Sequence, residues 1–218
     1  MGLEPTESRL YQLAESQGGY FTARQAREAG YADNTHAYHV GAGNWVRERR
    51  GIYRLVRFPT PERPDLILWQ LWSHNRAGEP QGTFSHATAL SLHELSDVMP
   101  RRLEMTVPPG FRRMATIPAV LHLRRARLQD GDVETIDGVR VTTTLRTLVD
   151  VIADNTLSQD LQVQAVHEAF RRGLVLREQL ASAQTSARTR QRIRRILKQV
   201  PDGDATAVHE RESASHRA

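Results

Sequence analysis

Residues 19–56 read GYFTARQAREAGYADNTHAYHVGAGNWVRERRGIYRLV, and this stretch decides the fold of the N-terminal part of the chain. Thr22 stands where its hydroxyl oxygen can accept from the free N–H groups that open a helix, and that helix runs to about Ala29. Gly30 ends it, and Asp33 is placed to cap a second helix. A short helix, a tight glycine-containing turn and another helix is the spacing of a helix-turn-helix.

On a 100° wheel the second helix puts Ala37, Val40 and Gly41 on a small apolar side, with Asn34 nearer to it. Thr35, Tyr38, His39 and Ala42 fall opposite, with His36 at the flank. The polar set can donate to and accept from base edges, and a methyl of Thr35 or Ala42 can meet a thymine methyl. Asn44–Arg49 and Ile52–Val56 are strand-forming runs joined at Arg50-Gly51, a hairpin expected to be a wing. Period two puts Arg47 and Arg49 on one strand face, while Arg50 and Arg54 lie by the turn, so four guanidiniums can meet phosphates or enter a minor groove. Thr22 and Arg24, at the start of the first helix of the pair, join the candidate DNA contacts. From Gly19 to Arg57 seven arginines face Glu28, Asp33 and Glu48, a local charge of +4. A solvated surface hairpin carries the same arginines, and charge pattern alone does not separate the two readings.

The 218 residues suffice for one large or two small domains, each with a core. No run approaches 18 apolar residues and the N-terminus lacks a signal-peptide pattern, so a soluble, cytoplasmic protein is expected. With no cysteine there is no disulfide framework and no thiolate metal site. The net charge of +5 favours a polyanionic partner, and its distribution is uneven. Residues 171–198 hold nine cations (Arg171, Arg172, Arg177, Arg188, Arg190, Arg192, Arg194, Arg195, Lys198) against Glu178, a local +8. The remainder is −3, from 21 basic and 24 acidic residues. Lys198 is the sole lysine, a bias that a GC-rich genome explains as well as selection for bidentate phosphate contacts does.

Leu10, Leu13 and Ala14 on a helix over 8–16 complete a three-helix unit, and Phe58, Pro59 and Pro61 close the wing. The expected domains are therefore a winged helix-turn-helix over 1–58, an α+β domain over 62–200 ending in basic helices, and a disordered tail over 201–218. Within the second domain a buried helix runs from Pro64 to Asn75, another from His86 to Leu95, and strands are read at 102–107 and 119–123. Asp132–Ile136 and Val139–Thr143, joined by Asp137-Gly138, give the clearest hairpin, so a small antiparallel sheet with packed helices is expected. Four helices then follow from Thr144, the last over Arg190–Val200 with Ile193, Ile196, Leu197 and Val200 on one face.

The order of GYFTARQAREAG, GNWVRERRGIYRL, SHATALSLHELSD, MPRRLEMTVP and DGVRVTTTLRTLVD resembles the AbiEi family of antitoxins from bacterial type IV toxin–antitoxin systems, over roughly residues 8–185. The resemblance implies an autoregulatory repressor that binds inverted repeats upstream of its operon through the winged domain. It also implies antagonism of a nucleotidyltransferase-like toxin, with direct binding of the toxin left open; the protein is expected to be a monomer in solution or a dimer on DNA. On the same ground, DNA contacts fall on Thr35, Tyr38, His39, Arg49, Arg50 and Arg54.

DGVRVTTTLRTLVD also resembles the middle of proteins that continue into a very-short-patch-repair-like nuclease, whose metal needs clustered carboxylates. After Asp160 only Glu168 and Glu178 precede the tail, and no nuclease centre is read. His86 and His93, seven apart on a helix, lie about 10 Å apart along its axis and cannot share a metal unaided. Ser85-His86 and Ser91-His93 lack a marked orienter and oxyanion site. No catalytic residue, metal or cofactor is expected. A purely protein-binding module is the third class. For the last helix, Arg188, Arg190, Arg192, Arg194, Arg195 and Lys198 form a phosphate-binding surface, a dock for an acidic toxin face, or a solvated face. Its apolar side has no Trp or Phe, which speaks against a membrane-surface helix.

Overall fold

The computed structural model describes residues 5–113 and 116–201. The tail expected to be disordered therefore lies, beyond Pro201, outside the described residues. The chain divides into two compact units that interleave in sequence. The first takes the described residues of Met1–Phe84, Met105–Pro118 and Leu123–Val141, and the second those of Ser85–Glu104, Ala119–His122 and Thr142–Ala218.

In the first unit, α1 (Thr6–Glu15) is followed by β1 (Tyr20–Thr22), α2 (Ala23–Ala29), a 3₁₀ turn (Asp33–Thr35), α3 (His36–Gly41) and the hairpin β2 (Trp45–Arg49) and β3 (Ile52–Leu55). Thr22 accepts from the Gln25 N–H at 3.2 Å, while Gln25 Oε1 accepts from the Thr22 N–H at 2.8 Å, a reciprocal cap that fixes the start of α2. Gly30 ends α2 at φ +111°, a conformation that a side chain resists, and its N–H returns to the last turn. The three strands form an antiparallel sheet in the order β1-β3-β2, with Phe21 opposite Tyr53 and Trp45 opposite Leu55. Leu10, Ala14, Phe21, Ala26, Ala29, Trp45 and Tyr53 make one core beneath it.

The winged helix-turn-helix expected from the sequence is thus present, with β1 as an addition. Three residues are too few for a period-two signal, and Thr22 at the end of β1 also serves as the helix cap.

The helix α4 (Pro64–Trp72) buries Leu66, Ile67, Trp69 and Leu71, so it is buried as expected, and it ends three residues before the expected Asn75. A second sheet has the order β6-β5-β4-β8-β7, built from β4 (Thr83–Phe84), β5 (Leu103–Val107), β6 (Leu121–Arg125), β7 (Val133–Ile136) and β8 (Val139–Thr142). The α+β class holds. The antiparallel character holds for β4 with β5, but Phe84 pairs with Val141 in parallel, so the sheet is mixed. A two-residue central strand leaves too little pattern for its direction to be read from sequence.

In the second unit, α5 (His86–Leu92), α6 (Thr144–Asp154), α7 (Gln159–Arg171), α8 (Arg177–Ser182) and α9 (Ala187–Leu197) share a core of Leu90, Leu95, Leu148, Ile152, Val166, Leu180, Ile193 and Ile196 among others. Asn155, in the left-handed conformation, closes α6, and the Ser158 and Ser186 side chains cap α7 and α9. The last helix starts at Ala187, three residues before the expected Arg190, because the Ser186 hydroxyl accepts from the Thr189 N–H at 3.1 Å. It ends at Leu197, and Val200 is buried beyond it.

Candidate nucleic-acid interface

The second helix of the pair is short and turned from the face expected for it. Asp33 does not cap it. The Asp33 carboxylate meets Arg27 Nη1 at 3.1 Å and residues 33–35 wind as a 3₁₀ turn, so α3 begins at His36. A 3₁₀ turn advances about 120° per residue against 100° in an α-helix, which rotates the phase of every residue after it. The rings then win the buried side over Ala37 and Gly41, because an imidazole removes far more surface from water than a methyl group. His36 is 5% exposed, and its ring lies 5.4 Å from Trp45 and 5.6 Å from Tyr53. His39 stacks on Trp45 at 4.6 Å with 19° between the planes. Burial, opposed by the Asp33 carboxylate, lowers the pKa of His36.

His36 is therefore a packing residue and not an exposed contact, and His39 is half-buried. Ala37, Gly41 and Asn34, expected on the packed side, are exposed, as is Ala42. Tyr38 is 70% exposed, and its phenol is the largest polar side chain that α3 presents. Thr35 is half-buried, and its hydroxyl donates to the Ala32 carbonyl at 2.7 Å.

In the wing, the Arg50-Gly51 turn is present with Gly51 at φ +74°. A bulge between Arg47 and Arg49 interrupts the register, and both residues are exposed. Arg54 has a different role from the one expected. Its Nε meets Glu48 Oε1 at 2.9 Å with both side chains largely buried, and its charge also bears on the neighbouring Tyr20 phenol. Burial first, and then the Glu48 charge, raise the pKa of that phenol. Arg24 Nε pairs with Glu28 at 2.6 Å and its Nη1 donates to the Arg76 carbonyl, while the Thr22 hydroxyl is engaged in the α2 cap.

These pairings resolve the local charge of +4. Glu28, Asp33 and Glu48 each take one arginine (Arg24, Arg27 and Arg54), which leaves Arg47, Arg49, Arg50 and Arg57 of the seven. All four are exposed, and three belong to the wing. The Arg49 guanidinium lies 5.0 Å from the Trp69 ring centre, a cation–π contact that fixes the stem and leaves the edge N–H groups for an anion.

Beside the wing turn lies a cleft of ≈ 210 Å³ that no sequence motif marks, lined by Arg24, Arg50, Trp72, His74, Asn75 and Arg113 among others.

In the second unit the arginines also divide. Arg192 Nη1 donates to the Ile152 and Ala153 carbonyls at 3.3 and 2.8 Å, closing the end of α6. Arg190 Nη2 reaches the Thr185 carbonyl at 3.4 Å. Arg188, Arg194, Arg195 and Lys198 are exposed, with no side-chain ion pair among the described residues. The Ser85 Oγ and His86 Nδ1 come within 3.0 Å, but both residues are buried. His93 Nε2 lies 2.7 Å from the Thr142 carbonyl, so it is a satisfied packing histidine. Among the described residues no three His, Cys, Asp or Glu side chains gather where they could hold a metal ion. No helix among them is long and apolar enough to cross a membrane.

Residues 8–56 match the model of a family described as transcriptional regulators, AbiEi antitoxin. The resemblance drawn from the motifs is borne out over that segment, which carries the helix pair and the wing. Among solved structures, the chain is similar to the Rv2827c protein from Mycobacterium tuberculosis, at 15% identity and a TM-score of 0.43 over 93% of this chain and 84% of that one. Comparison with curated proteins gives no match.

Proposed function

We propose that the chain is a sequence-specific, autoregulatory DNA-binding repressor of the antitoxin type, which acts in the cytoplasm and antagonises a nucleotidyltransferase-like toxin. The observation that carries this reading is the set of exposed arginines on the wing, Arg47, Arg49 and Arg50, which have no ion-pair partner among the described residues, beside a helix that presents Tyr38 to solvent. The regulator family matched by residues 8–56 supports it. The helix α3 enters the major groove, where Tyr38 reaches base edges and the small surfaces of Ala37, Gly41 and Ala42 allow close approach. The wing arginines hold phosphates and set register. Two copies on an inverted repeat occlude the promoter. The exposed cations of α9 and its C-cap, Arg188, Arg194, Arg195 and Lys198, are assigned to a second acidic surface, that of the toxin.

The test is an anisotropy titration across salt concentrations, with duplex from upstream of the gene against a scrambled duplex. Arg47→Ala weakens binding to both duplexes and lowers the salt slope by roughly one unit. Tyr38→Ala weakens the specific duplex by about 1–3 kcal/mol and leaves the scrambled one unchanged. Equal, salt-sensitive binding of wild type to both duplexes refutes sequence-specific repression. For the toxin, replacing Arg194 and Arg195 by Ala abolishes protection in cells while repression persists; intact protection refutes that assignment.

A further inference from the structure

The cleft beside the wing turn is the strongest unexplained feature of the first unit. The Arg50-Gly51 turn, the start of α2, the end of α4 with the turn after it, and Arg113 all contribute to its wall. Among the described residues, three guanidiniums and one imidazole line it, and no carboxylate does. Arg24 is fixed in place by Glu28 and the Arg76 carbonyl. It also lies against Gly78, at φ +84°, where a Cβ would come within 3.3 Å of Nε. Its charge is compensated by Glu28, whereas Arg50 and Arg113 have no ion-pair partner among the described residues. Arg113 lies 4.9 Å from the Trp72 ring centre, so its face is occupied and its edge donors are available.

We propose that this cleft seats a phosphate group between Arg50 and Arg113, with the His74 imidazole and the Asn75 side chain as further hydrogen-bond donors. Planar guanidiniums match phosphate oxygens in pairs, and the nearest carboxylates, Glu28 and Glu79, stand behind Arg24 and Asn75 and outside the lining. The Asn75 amide nitrogen already donates to Glu79 at 2.8 Å with one proton, and its second proton remains for the ligand. The volume admits a phosphate and the first atoms attached to it, and falls below the range of drug-sized pockets. The phosphate belongs either to a free phosphorylated molecule or to the DNA backbone. In the first case, occupancy withdraws Arg50 from the wing and couples a metabolite to DNA affinity; in the second, the cleft extends the footprint beyond the wing.

Burial, and then the charge of Arg113, push the His74 pKa down to about 4, which makes its imidazole a reporter of the site. The charged groups that face it are Arg24, Arg50 and Arg113. The experiment follows the histidine resonances of the full-length chain by NMR, with His74 assigned through His74→Gln. Inorganic phosphate, pyrophosphate and upstream duplex are added separately, with chloride at matched ionic strength as the control. A bound anion offsets Arg113, so the His74 pKa rises toward the ordinary histidine range with saturation, and the response is lost in Arg113→Gln and in the exposed-turn variant Arg50→Gln. Saturation by phosphate or pyrophosphate identifies a free ligand, and saturation by duplex alone identifies the backbone. A His74 resonance that no addition moves beyond the chloride control overturns the proposal. Tyr38→Ala, outside the cleft, keeps the free-phosphate response even where DNA reading is lost, so the two readings fail separately.

Discussion

Truncating Trp45 to alanine unseats α3. Trp45 is 3% exposed and lies on β2 beneath α3, with ring centres at 4.6 Å to His39, 4.9 Å to Phe21 and 5.0 Å to Tyr31. The helix has six residues and no side-chain cap at its start, far below the length at which a helix holds itself together in water. Its stability is therefore borrowed from this floor. A buried Trp→Ala change costs about 3–5 kcal/mol, a figure that includes the ring pairs at about 0.5–1.5 kcal/mol each. Against a total of roughly 5–15 kcal/mol for a typical domain, the variant still folds at low temperature, with a sharply lower urea midpoint. Urea unfolding by circular dichroism measures the loss, and hydrogen exchange reads the protection of residues 36–41. Specific DNA affinity falls with it, although no charge has been removed. A loss of less than about 1 kcal/mol, with undiminished protection of α3, would refute the reasoning.

Thr22→Ala removes the α2 cap and costs about 1 kcal/mol in the same unfolding assay, with the salt slope of DNA binding unchanged. A lower slope would make Thr22 a phosphate contact instead. Glu48→Gln releases Arg54 from its ion pair, and anisotropy on scrambled duplex is expected to show tighter binding and a slope steeper by about one unit. The depressed pKa of His74 means that the unfolded chain holds this proton more tightly than the folded one. Its contribution is full above about pH 6.5 and is lost as pH falls from there toward 4. After allowance for partial exposure, the loss by pH 5 is about 1–2 kcal/mol, and it should vanish in His74→Gln.

The signals legible in the sequence are those carried by neighbouring residues. Thr22 as the cap of α2, Gly30 after Ala29, and the Arg50-Gly51 and Asp137-Gly138 turns each fix an element locally, and each stands where expected. The face of α3 was not legible, because Asp33 chose Arg27 over the helix start and the histidine rings chose Trp45 over solvent. Those preferences depend on the hairpin lying nearby, which no wheel contains. The parallel pairing of Phe84 with Val141 joins positions 57 apart, and the cleft brings Arg113 to Arg50. Charge counting located the basic segments but not which cations remain unpaired: Arg24 and Arg54 read like Arg47 until their partners are seen.

The carbonyl-capping arginines of the second unit bear on the near absence of lysine. Arg177 spans the Leu197 and Val200 carbonyls with its two terminal nitrogens at 2.9 and 2.6 Å, and Arg172 reaches the His93 carbonyl at 2.7 Å. A forked, rigid head can tie two oxygens at once, whereas an ammonium gathers them around one point. Lysine is consequently tolerable at Arg188, Arg194 and Arg195, whose side chains make no ion pair among the described residues, and costly at Arg177, where both terminal nitrogens are engaged; Arg172 and Arg192 each reach two carbonyls through one nitrogen. At Arg177 the forked head closes the end of α9. Arg172, Arg177 and Arg192 are the clasps that close helix ends in the second unit.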